Sequence, residues 1–358
     1  MKRISIIGTV GVPAAYGGFE TLAENLVDFA QRDNAEIRLA VYCSGKSSTG
    51  PKYYKGAELR YLRLNANGVS SIAYDLLSMF SALRRRDDAI LLLGVSGAIG
   101  LPLFKLLSPA KVVTNIDGIE WKREKWRGAA KRFLRLSEAL AVRFSDVVIA
   151  DNEGIAEHVR TTYNRDCEVI AYGGDHSVSI AEVKFDGYLP ENYALALCRI
   201  EPENNIEMIL DAYARLQQYQ LVFIGNWSGS EFGKSMKKRF SEYNNIQLID
   251  PIYDVAVLKH IRKNASLYIH GHSAGGTNPS LVEMMHFRLP VLAYDCVFNR
   301  YSTEEQALYF KSASDLRSMI VNLSDEGRSE MANAMQEIAM RRYTWEIIGL
   351  DYFKLFLD

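Results

Sequence analysis

The sequence predicts an α/β protein built from two doubly wound domains, and three observations predict it. Short runs rich in Val, Ile and Leu recur from end to end, longer segments with helical apolar spacing separate them, and the alternation lapses once, over residues 171–193. Near-continuous apolar runs bounded by turn residues mark parallel strands covered by helices on both faces. A chain of 358 residues is long enough for two cores of ordinary size.

In the first half the strand candidates are "RISIIGTV", "IRLAVYC", "AILLLGV", "KVVTNID" and "DVVIAD". In the second half they are "YALALCRI", "QLVFIGN", "IQLID", "SLYIHGH" and "PVLAYD". Between them, "AYGGDHSVSIAEVKFDGYLPENY" collects Gly, Asp, Ser and Pro and loses apolar periodicity, which sets a joint and two domains, 1–178 and 179–342. The final stretch "YTWEIIGLDYFKLFLD" carries aromatic residues at helical spacing, so it is expected to pack as a helix on one of the domains.

Composition removes several classes. Apolar residues at 48% and charged residues at 24% are those of a globular protein. A formal net charge of −1 lacks the basic excess that a general nucleic-acid binder needs. The cysteines Cys43, Cys167, Cys198 and Cys296 are widely spaced, matching neither a zinc site nor a disulfide framework, and are expected to be thiols in a reducing compartment. The opening "MKRISIIGTVG" reaches glycine too early for a signal peptide, and no apolar run has the length of a membrane span. These features predict a cytoplasmic protein.

Four stretches carry candidate chemistry. After the first strand, "GTVGVPAAYGGFET" places Gly8, Gly11, Gly17 and Gly18 at a strand-to-helix turn, where open sheets bind ligands. It has neither the dinucleotide glycine pattern nor a Walker lysine, so a tight turn explains the glycines equally well. "NIDGIEWKREKWRGAAKRFLRL" brings Asp117 and Glu120 to a strand end and interleaves Trp121, Trp126 and Phe133 with seven basic residues. Such a helical stretch over 121–135 fits contact with an anionic membrane, or a solvated basic face with anchored tryptophans. "CRIEPENNIEMIL" ends a strand with Arg199, which suits a diphosphate or a pair with Glu201 or Glu203.

The fourth stretch, "GHSAGGTNPSLVEMM", follows an apolar run with Gly275 and Gly276, then Thr277, Asn278, Pro279 and Ser280, and then a helix bearing Glu283. Glycines allow close backbone approach, and the Thr-Asn-Pro-Ser cluster starts a helix whose first-turn amides favour an anion. His270 and His272 alternate beside it, but no third ligand accompanies them, so no metal site is expected.

In this order the motifs "GTVGVPAAYGGFET", "DGIEWKREKW", "CRIEPENNIEMIL" and "GGTNPSLVEMM" resemble the retaining glycosyltransferases of family 4 over essentially the whole chain. They look most like the bacterial rhamnosyltransferase-like subgroup of surface-polysaccharide assembly. The resemblance implies a GT-B fold: two Rossmann-like domains facing across a cleft, with the helix 343–358 crossing back to complete the first. The first domain would be the acceptor side and the second would bind the nucleotide-sugar donor.

It also implies roles. Gly17 and Gly18 would border the donor diphosphate, Arg199 would contact it, and Thr277, Asn278 and Ser280 would offer it helix-start amides. Glu283 would hold a ribose hydroxyl. Two positions depart from the family: Gly275 stands where a first glutamate is usual, and Asn204 where a lysine is usual, so amides of Gly275 and Gly276 would replace a side-chain acceptor. Asp117 and Glu120 are the candidate general bases, with Asp117-Gly118 where many relatives place a histidine.

The function expected is metal-independent, retaining transfer of a hexose from a dTDP- or UDP-linked sugar, with L-rhamnose from dTDP-rhamnose as the sugar the subgroup suggests. The acceptor would be a lipid-linked saccharide of O-antigen or capsule synthesis, reached by a protein peripheral on the inner face of the cytoplasmic membrane. No cofactor is expected, and no nucleic-acid partner. The rivals are a nucleotide-sugar epimerase or phosphorylase on the same fold, and a catalytically silent sugar-binding subunit, which the two departures favour.

Overall fold

The computed structural model describes residues 1–357 apart from 15–16, 34–35, 46–49 and 124–125. The chain forms two compact units, Met1–Ala171 with Trp345–Asp358, and Tyr172–Thr344. Both are Rossmann-like, each with one mainly parallel sheet, as expected for the GT-B class.

The first unit contains β1 (Lys2–Ile7), β2 (Ile37–Ser44), β3 (Tyr53–Tyr54), β4 (Ala57–Leu62), β5 (Ala89–Leu93), β6 (Lys111–Asn115), β7 (Val147–Ala150) and β8 (Glu168–Val169). They lie in the order β3-β4-β2-β1-β5-β6-β7-β8, parallel throughout except where β3 pairs with β4. β5 is buried from end to end and β1 from Ile4 to Ile7, as strands covered on both faces must be.

The strand β4 was not legible as one, because its charge hides its burial. Arg60 turns inward, 2.6 Å from the buried Asp87 carboxylate, 2.8 Å from Ser5 Oγ and 3.0 Å from Glu58. The terminal helix Trp345–Leu357 belongs to this unit and packs on Gly18–Asp33: Phe353 meets Phe29 at 5.2 Å, and Asn115 Nδ2 donates to Tyr352 Oη at 2.7 Å.

The second unit contains β9 (Tyr193–Leu197), β10 (Gln220–Ile224), β11 (Ile246–Ile249), β12 (Leu267–His270), β13 (Val291–Tyr294) and β14 (Leu308–Phe310). Their order is β11-β10-β9-β12-β13-β14, parallel throughout. The chain winds outward from β9 in one direction and then restarts at β12 in the other. That reversal, between β9 and β12, is where the loops leaving the strands' carboxyl ends part and open a crevice. β1 and β5 form the same reversal in the first unit.

One local expectation is corrected. Trp121 and Trp126 do not ride on a basic helix: Glu120–Lys122 is a single 3-10 turn, and the helix begins only at Gly128. Gly128 has φ +55°, a left-handed backbone that breaks helical continuity between the tryptophans and the basic run. Lys125 lies outside the described residues.

Candidate functional site

In the second unit the loops after β9 and β12 are stitched together. Asn204 Nδ2 donates to the Arg199 carbonyl at 2.7 Å, and Asn204 Oδ1 lies 2.7 Å from His272 Nδ1. Asn205 Nδ2 donates to the Gly271 carbonyl at 2.8 Å, and both the amide and the hydroxyl of Ser273 reach the Glu203 carbonyl. Gly271 allows this, since a side chain there would strike the Asn204 carbonyl. Asn204 is therefore a brace, 4% exposed with both ends of its amide engaged, and not a group facing a ligand. Sequence reasoning placed it at the donor.

Arg199 sits two residues beyond β9 with its side chain exposed. Among the described residues no carboxylate pairs with its guanidinium, so Glu201 and Glu203 do not take it. Gly275 has φ +112°, and a Cβ there would come within 3.1 Å of His272 Nε2. Among the described residues the amides of Gly275, Gly276 and Asn278 have no hydrogen-bond acceptor. The Ser280 amide does: Asn278 caps the helix Pro279–Met285 and accepts it at 3.0 Å. Ser280 was expected to present its amide, and the cap leaves only its hydroxyl. Thr277 is buried.

Glu283 lies on that helix in a charged cluster. Its carboxylate pairs with Arg262 and lies 3.4 Å from His176 Nε2. Burial pushes the carboxyl up, but Arg262 and His176 outweigh it and hold it below its ordinary range. Arg262 was missed by sequence reasoning, because the last turn of Val255–Lys263 reads as a solvated basic end. Close by in the chain, His270 Nδ1 lies 3.2 Å from Tyr268 Oη, while Nε2 is buried with no partner among the described residues. Burial, with His272 adding to it, pushes the His270 pKa well below its ordinary 6.5.

The sign of that shift fixes a pH dependence. A buried histidine held neutral contributes fully above the unfolded value of 6.5, and the contribution is lost as pH falls toward the depressed folded value. The Glu283 contribution follows in a lower window, lost as pH drops below the ordinary 4.5. The denaturant midpoint of the second unit should therefore fall between pH 7.5 and 5.5, and His270→Phe should flatten that slope. An equal slope in the variant would show that another group is responsible.

In the first unit, Gly17 has φ +135° and accepts the amide and hydroxyl of Thr21 at 3.1 and 2.9 Å, while Gly18 opens the helix. Two carboxylates not singled out in the sequence shape this loop. Glu20 accepts the Val10 amide at 3.0 Å and Glu24 the Ala14 amide at 2.8 Å. Asp117 is half-buried at φ +61°, its amide donating to Asn115 Oδ1 at 2.9 Å. Glu120 holds Arg123 at 2.9 Å and Trp126 Nε1 at 2.8 Å, which occupies both oxygens of a candidate base. The Trp121 ring lies under Lys122, Lys131 and Arg135 at 5.5 to 5.9 Å. The structure thus groups Arg199 with the Gly275–Ser280 turn at one reversal, and puts Gly17, Gly18, Asp117 and Glu120 in the other unit. Among the described residues no group of three or more His, Cys, Asp or Glu is placed to hold a metal ion.

Comparisons with known proteins agree with this architecture. Residues 181–315 match the family model described as glycosyl transferases group 1, and residues 1–175 match one described as a domain of unknown function, DUF1972. No curated protein matches the chain. Among solved structures, sucrose-phosphate synthase from Thermosynechococcus elongatus superposes with a TM-score of 0.80 at 14% identity, covering 99% of this chain and 98% of that one. Anabaena HepE in complex with UDP gives 0.71 at 15%, with 99% of each chain covered. A glycosyltransferase from Rickettsia africae gives 0.71 at 11%, with 99% and 97% covered.

Proposed function

We propose that this GT-B glycosyltransferase, whose second unit carries a group 1 domain, moves a hexosyl group with retention from a nucleotide sugar to a lipid-linked saccharide. The observation that carries the reading is Arg199: an exposed guanidinium in the loop braced by Asn204, without a partner among the described residues, as are the amides of Gly275, Gly276 and Asn278 in the turn that follows β12. A charge-assisted pair from Arg199 and neutral amides from the turn suit the two phosphates of a nucleoside diphosphate. That UDP occupies the structurally similar Anabaena protein supports this choice of donor.

In the reaction the bond from the anomeric carbon to the diphosphate oxygen breaks, and one to the acceptor hydroxyl forms on the same face. The acceptor's proton passes to the departing phosphate oxygen, and Arg199 stabilises the charge that develops there. Glu283, held ionised by Arg262 and His176, would accept from a ribose hydroxyl. Glu120, already committed to Arg123 and Trp126, is the weaker candidate base; Asp117 remains the one to test. Membership of family 4, L-rhamnose as the sugar and a place in O-antigen or capsule synthesis rest on the motif resemblance alone.

Titrating UDP, dTDP, GDP and ADP in thermal-shift measurements tests the donor site. One of them should stabilise selectively, by about 2.7 kcal/mol at a hundredfold excess over Kd, and EDTA should not alter the shift. No response to any of the four would refute the donor site and leave a silent subunit. Turnover of a nucleotide sugar without any acceptor saccharide would replace transfer by epimerisation.

A further inference from the structure

The helix Ser70–Arg85 is apolar on two sides. Tyr74, Met79 and Ala82 are buried together with Ser71, Asp75 and Ser78, yet Ala73, Leu76, Leu77 and Phe80, with Val69 just ahead of the helix, stand exposed at helical spacing. A surface helix ordinarily turns an apolar side to the core and a polar side outward. The neighbouring helix Leu101–Leu107 continues the exposure: Leu103 is 62% and Leu106 80% exposed, with Leu107 and Ile99 beside them. The two surfaces are continuous, because Leu76 presses directly on Gly100. Leu136 of Gly128–Phe144, which packs on Leu101–Leu107, extends the area.

Charge on these helices has one sign. Arg84, Lys131, Arg132, Arg135 and Arg143 are exposed, Arg85 is exposed but paired at 3.1 Å with Glu58 of β4, and the only carboxylates on the three helices, Asp75 and Glu138, are buried. In a chain of net charge −1 this is a local concentration of cations around apolar side chains. No described helix is long and apolar enough to cross a membrane, so any membrane contact by this face would lie along the surface.

We propose that the face of Ser70–Arg85, Leu101–Leu107 and Gly128–Phe144 docks on an anionic bilayer, with Leu76, Leu77, Phe80, Leu103 and Leu106 entering the acyl boundary and Arg84 and Arg132 meeting lipid phosphates. The proposal rests on the reading of the acceptor as lipid-linked. It keeps the basic residues Lys131, Arg132 and Arg135 of the 121–135 stretch expected at a membrane, and moves the apolar contact from its tryptophans, which are half-buried and engaged, to leucines and Phe80 that sequence reasoning passed over. Charge selects the bilayer over a second copy of this chain: a two-fold contact would set this cationic rim against itself, whereas anionic headgroups neutralise it at about 1 kcal/mol per basic residue.

Sedimentation of the full chain with phosphatidylcholine vesicles, with and without phosphatidylglycerol, tests this. The protein should partition onto the anionic vesicles at low salt and leave them at high salt. Phe80→Glu/Leu106→Glu should weaken partition at least tenfold on both vesicles, and Arg84→Glu/Arg132→Glu should abolish only the anionic preference. Both variants sit on exposed positions and should keep the wild-type melting temperature and nucleoside-diphosphate shift. Unaltered partition of Phe80→Glu/Leu106→Glu, or no partition of the wild type, overturns the proposal. So does a wild-type dimer that this variant makes monomeric. A nucleotide shift without vesicle binding would sink this surface and leave the donor site standing; binding without the shift would do the opposite.

Discussion

Arg199→Ala is expected to lower kcat by about 10²- to 10³-fold, the range for removing one preorganised donor from a developing negative charge. The melting temperature should not move, because the side chain is exposed and has no partner among the described residues. KM should change less than kcat, since the charge on the diphosphate grows as the sugar leaves. Arg199→Lys should recover only part of the loss, because an ammonium cannot make the planar two-point contact. Full turnover in purified Arg199→Ala would remove this residue from the diphosphate and, with it, the observation on which the donor site stands.

Arg262→Met should be the most destabilising single change near the site. It leaves the mostly buried Glu283 carboxylate with only His176, at 3.4 Å, beside it among the described residues, and breaking such a pair from one side costs about 3 kcal/mol. Glu283→Gln should cost less, and the double variant should recover part of the Arg262→Met loss, because the uncompensated charge is then gone. Urea midpoints of the four proteins read this coupling directly. Additive losses would show that Arg262 and Glu283 act independently. Nucleoside-diphosphate affinity should fall in Arg262→Met as well, since Arg262 orients the carboxylate assigned to the ribose.

Much of the fold was legible because buried parallel strands announce themselves by unbroken Val, Ile and Leu. Runs such as "AILLLGV" and "QLVFIGN" became β5 and β10. β4 escaped because a buried arginine is stabilised by Ser5 and Asp87, groups distant in sequence that no local pattern reveals. The candidate site divides in the same way. Arg199, Gly275 and Asn278 follow from strand ends and turn chemistry, which are local. Arg262, and the brace that Asn204 makes to His272, depend on the strand order that brings β9 beside β12. The exposed apolar side of Ser70–Arg85 was hidden for another reason: with Tyr74 and Met79 on one side and Leu77 and Phe80 on the other, apolar spacing does not say which side the fold turns outward.

The first unit is assembled from both ends of the chain, with Trp345–Leu357 laid against Gly18–Asp33 and Tyr352 bonded to Asn115. Synthesis runs in one direction, so this unit leaves the ribosome with Phe29 lacking Phe353, and waits while the 173 residues of Tyr172–Thr344 are made. At 5 to 20 residues per second, that wait lasts roughly ten to thirty-five seconds. The second unit, continuous in sequence, has all its strands before the first has its last helix. The unit begun first is thus completed after the unit begun second, and the growing chain carries an open apolar seam until Trp345–Leu357 closes it.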